Sequence, residues 1–300
     1  MLKIAWSPYY CHPLPAGHRF PMEKYELIPE QLLYEGSIEE SNLFEPTEME
    51  EECILLTHSV SYWEKLTSNQ ISPKEARKTG FPYSQRLLKR GRIIAQGTLD
   101  NVKYARSHGV ALNTAGGTHH AFRGHGEGFC ILNDIAIASN YLLEHKLSER
   151  ILIVDLDVHQ GNGTAAIFRN EKRVFTFSMH CEANYPLKKE LSDLDIGLPL
   201  GCKGELYLEK LAETLPRLLE KHQPDLVFYL SGVDVLETDK LGKLALTKEA
   251  CKERDRFVFE SCKAKGLPVV VSLGGGYSPA IKDIVEAHCN TFRLAIDIWD

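Results

Sequence analysis

The chain has 300 residues, with 43% hydrophobic and 25% charged, and 35 Lys and Arg against 41 Asp and Glu give a net charge of −6. This is the composition of a folded globular chain, and it excludes a disordered or low-complexity one. The acidic balance excludes a general attraction to nucleic acid phosphates, and the apolar runs are far shorter than the ~18–20 residues a membrane-spanning helix needs. Neither nucleic acid nor membrane is therefore expected as a partner.

The first element follows Met1 directly: Leu2–Trp6 reads as a strand with no apolar leader ahead of it, so a cytoplasmic location is expected. The eight cysteines form no C-x-x-C pair and read as reduced thiols rather than a disulfide framework. The acidic run Glu45–Glu52 reads as a solvated loop or helix face. Leu87, Ile94, Leu99, Val102 and Ala105 then share one helical stripe. Gly109–Asn113, Ile151–Leu156 and Val174–Met179 are short apolar runs, as expected of strands buried on both faces. A second stripe, Leu208, Leu211, Leu215 and Leu218, precedes the strands Leu226–Leu230 and Val269–Leu273. A third stripe runs through Ile281, Ile284, Val285, His288 and Phe292, with Ser278 as its expected N-cap and Pro279 at its first position. No repeat, linker or compositional break divides the chain, so one domain over residues 1–300 is expected. Strands alternating with helices predict an α/β fold, an open, mostly parallel sheet with helices on both faces in three layers. Such sheets bind ligands at the carboxyl ends of their strands.

Four strand ends carry unusual chemistry. They are Gly116-Gly117-Thr118-His119-His120, Asp155-Leu156-Asp157-Val158-His159, Ser231-Gly232-Val233-Asp234 and Gly274-Gly275-Gly276-Tyr277. Residues two apart on a strand share a face, so Asp155, Asp157 and His159 form a plausible metal half-site if the extended geometry persists. Zinc accepts nitrogen and oxygen ligands, and a catalytic zinc keeps one position open. Asp157 and His159 supply two ligands and Asp234 is the natural third. His119 and His120 read either as structural carbonyl-capping histidines or as proton carriers, since imidazole titrates near neutrality. Asp155 and Asn162 can then accept from an imidazole and fix its tautomer. Tyr277 reads either as a packed aromatic or as a phenol donor aimed at a developing oxyanion.

These blocks, with Gly128-Phe129-Cys130 and Asn133-Asp134 in order between them, resemble the zinc-dependent histone deacetylase family over essentially the whole chain. Gly17-His18-Arg19-Phe20-Pro21, Asn184-Tyr185-Pro186 and Asp193-Leu194-Asp195 are most similar to its class IV-type and bacterial members. The resemblance implies the arginase/deacetylase fold, with about eight parallel strands, and one catalytic Zn(2+) on Asp157, His159 and Asp234. It implies His120 as the main general base and acid, His119 paired with Asp155 in an electrostatic role, and Tyr277 as the transition-state tyrosine. It implies a monovalent cation, K(+) or Na(+), near Asp155, Asp157, His159, Ser178 and Met179, and a second near Phe168, Glu171 and Val174. Gly128, Phe129, Tyr185 and Leu241 would wall a tunnel for an acylated lysine. Asn162 stands where many members have an acid, and a neutral amide leaves His120 less basic than a carboxylate would. The expected activity is hydrolysis of N-acetyl- or acyl-lysine in proteins. The alternatives are a small acylated amine such as an acetylpolyamine as substrate, an arginase-like ureohydrolase, which the single Asp-x-Asp-x-His motif disfavours, and a non-catalytic acyl-lysine reader.

Overall fold

The computed structural model describes residues 1–299. In chain order its regular elements are β1 (Ile4–Ala5), α1 (Lys24–Tyr34), β2 (Leu43–Phe44), α2 (Glu51–Leu55), α3 (Val60–Thr67), α4 (Pro73–Thr79), α5 (Gln85–His108) and β3 (Val110–Asn113). They continue with α6 (Asp134–Glu144), β4 (Ile151–Asp155), α7 (Asn162–Phe168), β5 (Val174–Cys181), β6 (Leu194–Leu198) and α8 (Gly204–His222). The last are β7 (Leu226–Ser231), α9 (Lys248–Lys263), β8 (Val269–Leu273) and α10 (Ile281–Trp299).

The strands join in one sheet of eight, in the order β2-β1-β3-β8-β7-β4-β5-β6. Every pairing is parallel. All the strands therefore end on the same side of the molecule. The central strands are buried throughout, and their residues alternate between two cores. Leu152 and Val154 of β4, with Val227 and Tyr229 of β7, pack with residues of α1, α8, α9 and α10. Ile151 and Ile153, with Leu226 and Phe228, pack with residues of α5, α6 and α7 on the other face. This period-2 division of continuous apolar strands is what makes the fold three-layered. A third cluster, containing Phe20, Tyr25 and Tyr62, gathers Phe129 and Tyr277 at its margin.

Ser84 caps α5, accepting from the Leu87 amide at 3.1 Å, and the helix stops at Gly109, whose φ of +100° suits glycine. Two strands escape the apolar-run reading. β2 has only two residues, and β6, Leu-Asp-Ile-Gly-Leu, is half-exposed because it forms the opposite edge. Ser278 does not cap α10. The helix starts at Ile281, and the Ser278 hydroxyl bonds Thr238 Oγ1 at 2.8 Å. The acidic run is largely exposed, but Glu48 clamps onto α5, with Arg92 at 2.7 Å and Lys89 at 3.0 Å. All eight cysteines are free. Among the described residues no helix is long and apolar enough to cross a membrane.

Candidate active site

Strand β4 ends at Asp155 and the chain then bends, so the expected alternation stops there. The bend divides the motif. The Asp155 carboxylate meets His119, with Oδ2 2.6 Å from Nδ1, and also accepts the Asp157 amide at 3.2 Å. Asp157 and His159 instead converge on Asp234, beyond the end of β7. His159 Nδ1 lies 3.0 Å from Asp157 Oδ1 and 3.2 Å from Asp234 Oδ2. All three side chains are buried, and their ligand atoms fall within 4.8 Å of one another.

The donor set fits a divalent cation. Apart from the close approach of His159 Nδ1, Asp234 Oδ2 is buried with no hydrogen bond, although a buried carboxylate oxygen needs one. Burial and the neighbouring Asp157 raise the Asp234 carboxyl to about 7. The two carboxylates overcome the opposing effect of burial and push His159 up to about 10. This electrostatics draws in positive charge, and one nitrogen with two carboxylates is a zinc-type ligand set. The glycine loop after β8 shapes the cradle. Gly275 N–H donates to Asp157 Oδ2 at 2.7 Å, and a Cβ on Gly275 would fall on the Asp234 carboxylate.

Beside this cluster, the His119 and His120 rings lie with centroids 4.1 Å apart and planes tilted by 50°. Their tautomers are set by their partners. His119 Nδ1 faces the acceptor-only Asp155 carboxylate, which, against the cost of burial, raises the imidazole's pKa. Asn162 donates from Nδ2 to Glu127 Oε1 at 3.1 Å, so its Oδ1 is the atom 2.6 Å from His120 Nδ1. His120 therefore carries its proton on Nδ1 and leaves Nε2 bare. Burial, with His119 and His159 next to it, holds His120 well below the ordinary imidazole value, which keeps it neutral at pH 7. Burial, reinforced by Asp234 and Asp157, holds the Tyr277 phenol well above its usual pKa, so it remains a donor. Its backbone is anchored by Asp239 Oδ2, which accepts Tyr277 N–H at 2.6 Å.

His120, His159 and Tyr277 line the floor of an open vestibule of about 580 Å³, which Gly128, Phe129, Tyr185 and Leu241 also line. Phe129 adopts a left-handed φ of +66°, rare for a bulky residue, and the strain is held by its N–H, which donates a hydrogen bond to Thr79 O at 2.6 Å. Its ring packs 5.8 Å from Tyr277 and 5.1 Å from Phe20. Behind the floor a smaller cavity reaches Phe20, Tyr25 and Arg90. Ser178 lies opposite Asp155 in the β4–β5 register and Met179 follows it. Phe168 ends α7, Glu171 lies in the turn that follows, and Val174 begins β5.

His119, His120, Asp157, His159, Tyr277, Gly128, Phe129, Tyr185 and Leu241 thus line one or other of the two cavities, Asp155, Asn162 and Asp234 contact the lining residues His119, His120 and His159, and Ser178 and Met179 lie in strand β5. A profile of the histone deacetylase domain matches residues 18–292. The chain belongs to the histone deacetylase family. It is 45% identical over 296 residues to an uncharacterized protein of Picosynechococcus sp. strain PCC 7002, covering 99% of each chain. It is 31% identical to histone deacetylase 2 of Arabidopsis thaliana over 87% of this chain and 70% of that one. Its structure is similar to that of a histone deacetylase homologue from Aquifex aeolicus, with TM-score 0.83 and 25% identity over 97% of this chain and 82% of that one. The protein is accordingly a deacetylase hydrolase with the α/β fold of that family.

Several groups of this deacetylase escaped the sequence reading. Glu127 is the hub of the vestibule wall, accepting from Asn162 and Tyr185 and pairing with Lys78 at 2.6 Å. Asp134 braces the loop before the two histidines, accepting Thr118 N–H at 2.8 Å and Thr118 Oγ1 at 2.6 Å. Lys24, fully buried, donates to Gly274 O at 3.0 Å, and Arg254 donates to Gly232 O at 2.5 Å. The Asn133-Asp134 block was a signal for Asp134. Lys24 and Arg254 sit in polar stretches, where burial leaves no local trace.

Proposed function

We propose that this deacetylase hydrolyses the amide of acyl-lysine, using a zinc ion held by Asp157, His159 and Asp234. The observation that carries the reading is the bare Nε2 of His120, fixed by the Asn162 contact, facing the same cavity as Tyr277 and the metal-ligand cluster. Bound there, zinc would polarise the acyl carbonyl and lower the pKa of a water from about 15.7 towards 7. His120 Nε2 accepts a proton from the attacking water as its oxygen adds to the carbonyl carbon. The oxygen that gains charge receives a hydrogen bond from the Tyr277 phenol, kept protonated by its buried setting. The C–N bond then breaks, and the proton on His120 Nε2 passes to the departing amine nitrogen, leaving a carboxylic acid and free lysine. Asp155, through its contact with Nδ1, favours the imidazolium form of His119 beneath the reacting centre. Phe129 and Tyr185 flank the acyl-lysine stem, with Gly128 and Leu241 completing the wall.

Gly128 has a positive φ of +53°, and a Cβ there would lie 2.5 Å from His120 Cδ2, so a side chain at this position would displace the base. The carbonyls around Asp155, Ser178 and Met179 would hold the monovalent cation, and the whole chain would work as one catalytic domain. Tyr277→Phe tests the chemistry. Its kcat on an acetyl-lysine peptide should fall by about 10²–10³-fold with zinc content unchanged, the loss of one oxyanion donor. A parent-like kcat would remove the phenol from the mechanism.

A further inference from the structure

Four cationic side chains line the vestibule: Arg19, Arg77, Lys78 and Lys243. They come from three separate segments: the loop before α1, the end of α4, and the loop between β7 and α9. Among the described residues the vestibule wall has a single carboxylate, Glu127, and it is already committed to Lys78, Asn162 and Tyr185. Arg77 and Lys243 are exposed and make no side-chain ion pair or hydrogen bond with any described residue. Arg19 rests only on the Phe129 ring, 5.0 Å from its centroid. Basic residues at the end of α4 suit the helix dipole. That explanation does not reach Arg19 or Lys243, which lie on loops. The excess of positive charge at the mouth also runs against the chain's net charge of −6.

Building on the acyl-lysine reading of the site, we propose that the vestibule selects acyl-lysine in acidic peptide segments, with Arg19, Arg77 and Lys243 meeting aspartate or glutamate side chains that flank the modified lysine. A vestibule of about 580 Å³ lies within the ~300–1,000 Å³ of an ordinary small-ligand pocket, so it takes the acyl-lysine itself, while the exposed Arg19, Arg77 and Lys243 are left to meet the residues that flank it. Arginine pairs with carboxylates through a planar fork, and two of the three free cations are arginines. The same charge repels polyamines, which are cationic at neutral pH, and basic peptide tails. A solvent-exposed pairing changes affinity by about two- to fivefold, so two or three together separate acidic from basic substrates by about tenfold or more.

The test compares kcat/KM of the zinc-loaded protein on three peptides of equal length, with acetyl-lysine flanked on both sides by Glu, Gln or Arg, and on N-acetylputrescine. Measurements are made at low and high ionic strength. The expected order is Glu above Gln above Arg, with the acetylated diamine at the bottom and the spread shrinking in high salt as screening shortens its reach. In the variant Arg77→Glu with Lys243→Glu the peptide order should reverse. Equal rates on all three peptides would overturn the proposal while leaving acyl-lysine hydrolysis standing, and so would a preference for Arg flanks. Turnover of N-acetylputrescine alone would overturn both. Should the double variant fail to fold, the flank order and its salt dependence in the parent protein decide.

Discussion

At the residue scale, the chemistry depends on small contacts that select one protonation state. Asn162 holds the proton of His120 on Nδ1, and Glu127 holds Asn162 in turn. A neutral amide between a carboxylate and an imidazole orients the base without making it strongly basic. Asn162→Ala removes the acceptor from a buried N–H and releases the tautomer. Its kcat should fall by about 10–100-fold, the usual cost of losing an outer partner of an active-site histidine, with KM and zinc content nearly unchanged. Steady-state kinetics with metal analysis measures this, and a parent-like kcat would show that His120 needs no such orientation.

At the element scale, the short helix α4 carries Arg77, Lys78 and Thr79 to the vestibule. It has a full capping box: Ser72 Oγ accepts Glu75 N–H at 3.3 Å, and Glu75 Oε2 accepts Ser72 N–H at 2.9 Å. Lys65, followed by Ser72, lowers the Glu75 carboxyl to about 2. A depressed carboxyl stabilises the fold above its unfolded value of about 4.3, and that contribution disappears as pH falls towards 2. Ser72→Ala should cost about 1 kcal/mol locally. Hydrogen exchange at the amides of α4 should quicken several-fold at neutral pH, with little change in the central strands. Uniform quickening over the whole chain, or none, would contradict a local role for the cap. The elements most legible in the sequence were those buried on both faces. β3, β4, β7 and β8 read directly as apolar runs, and α5 as an apolar stripe. β2 and β6 were not legible, because an edge strand is apolar on one side at most and β6 contains Asp195 and Gly197. Ser278 misled because Ser-Pro ahead of an apolar stripe is a general helix-start signal, whereas here the serine belongs to the glycine loop that carries Tyr277. Asp157, His159, Asp234, His119, His120 and Tyr277 were legible because each follows an apolar strand. Their partners Glu127, Lys24 and Arg254 were not, since tertiary burial alone makes them matter.

At the scale of the whole molecule, one parallel sheet directs every strand end to the same side. That delivers residues from β3, β4, β7 and β8, which are far apart in sequence, to a single buried cluster. The arrangement forces Asp157 and Asp234 together, at an electrostatic cost that a bound cation would offset. The central claim is therefore that hydrolysis requires a metal on that cluster. The direct measurement is acetate release from an acetyl-lysine peptide, with metal content determined on the same sample, for the parent and Asp234→Asn before chelation, after it, and after zinc is returned. The parent should hold one zinc per chain, lose activity on chelation and regain it with zinc, while Asp234→Asn should neither retain the metal nor recover. Undiminished acetate release from the metal-free parent would contradict the account.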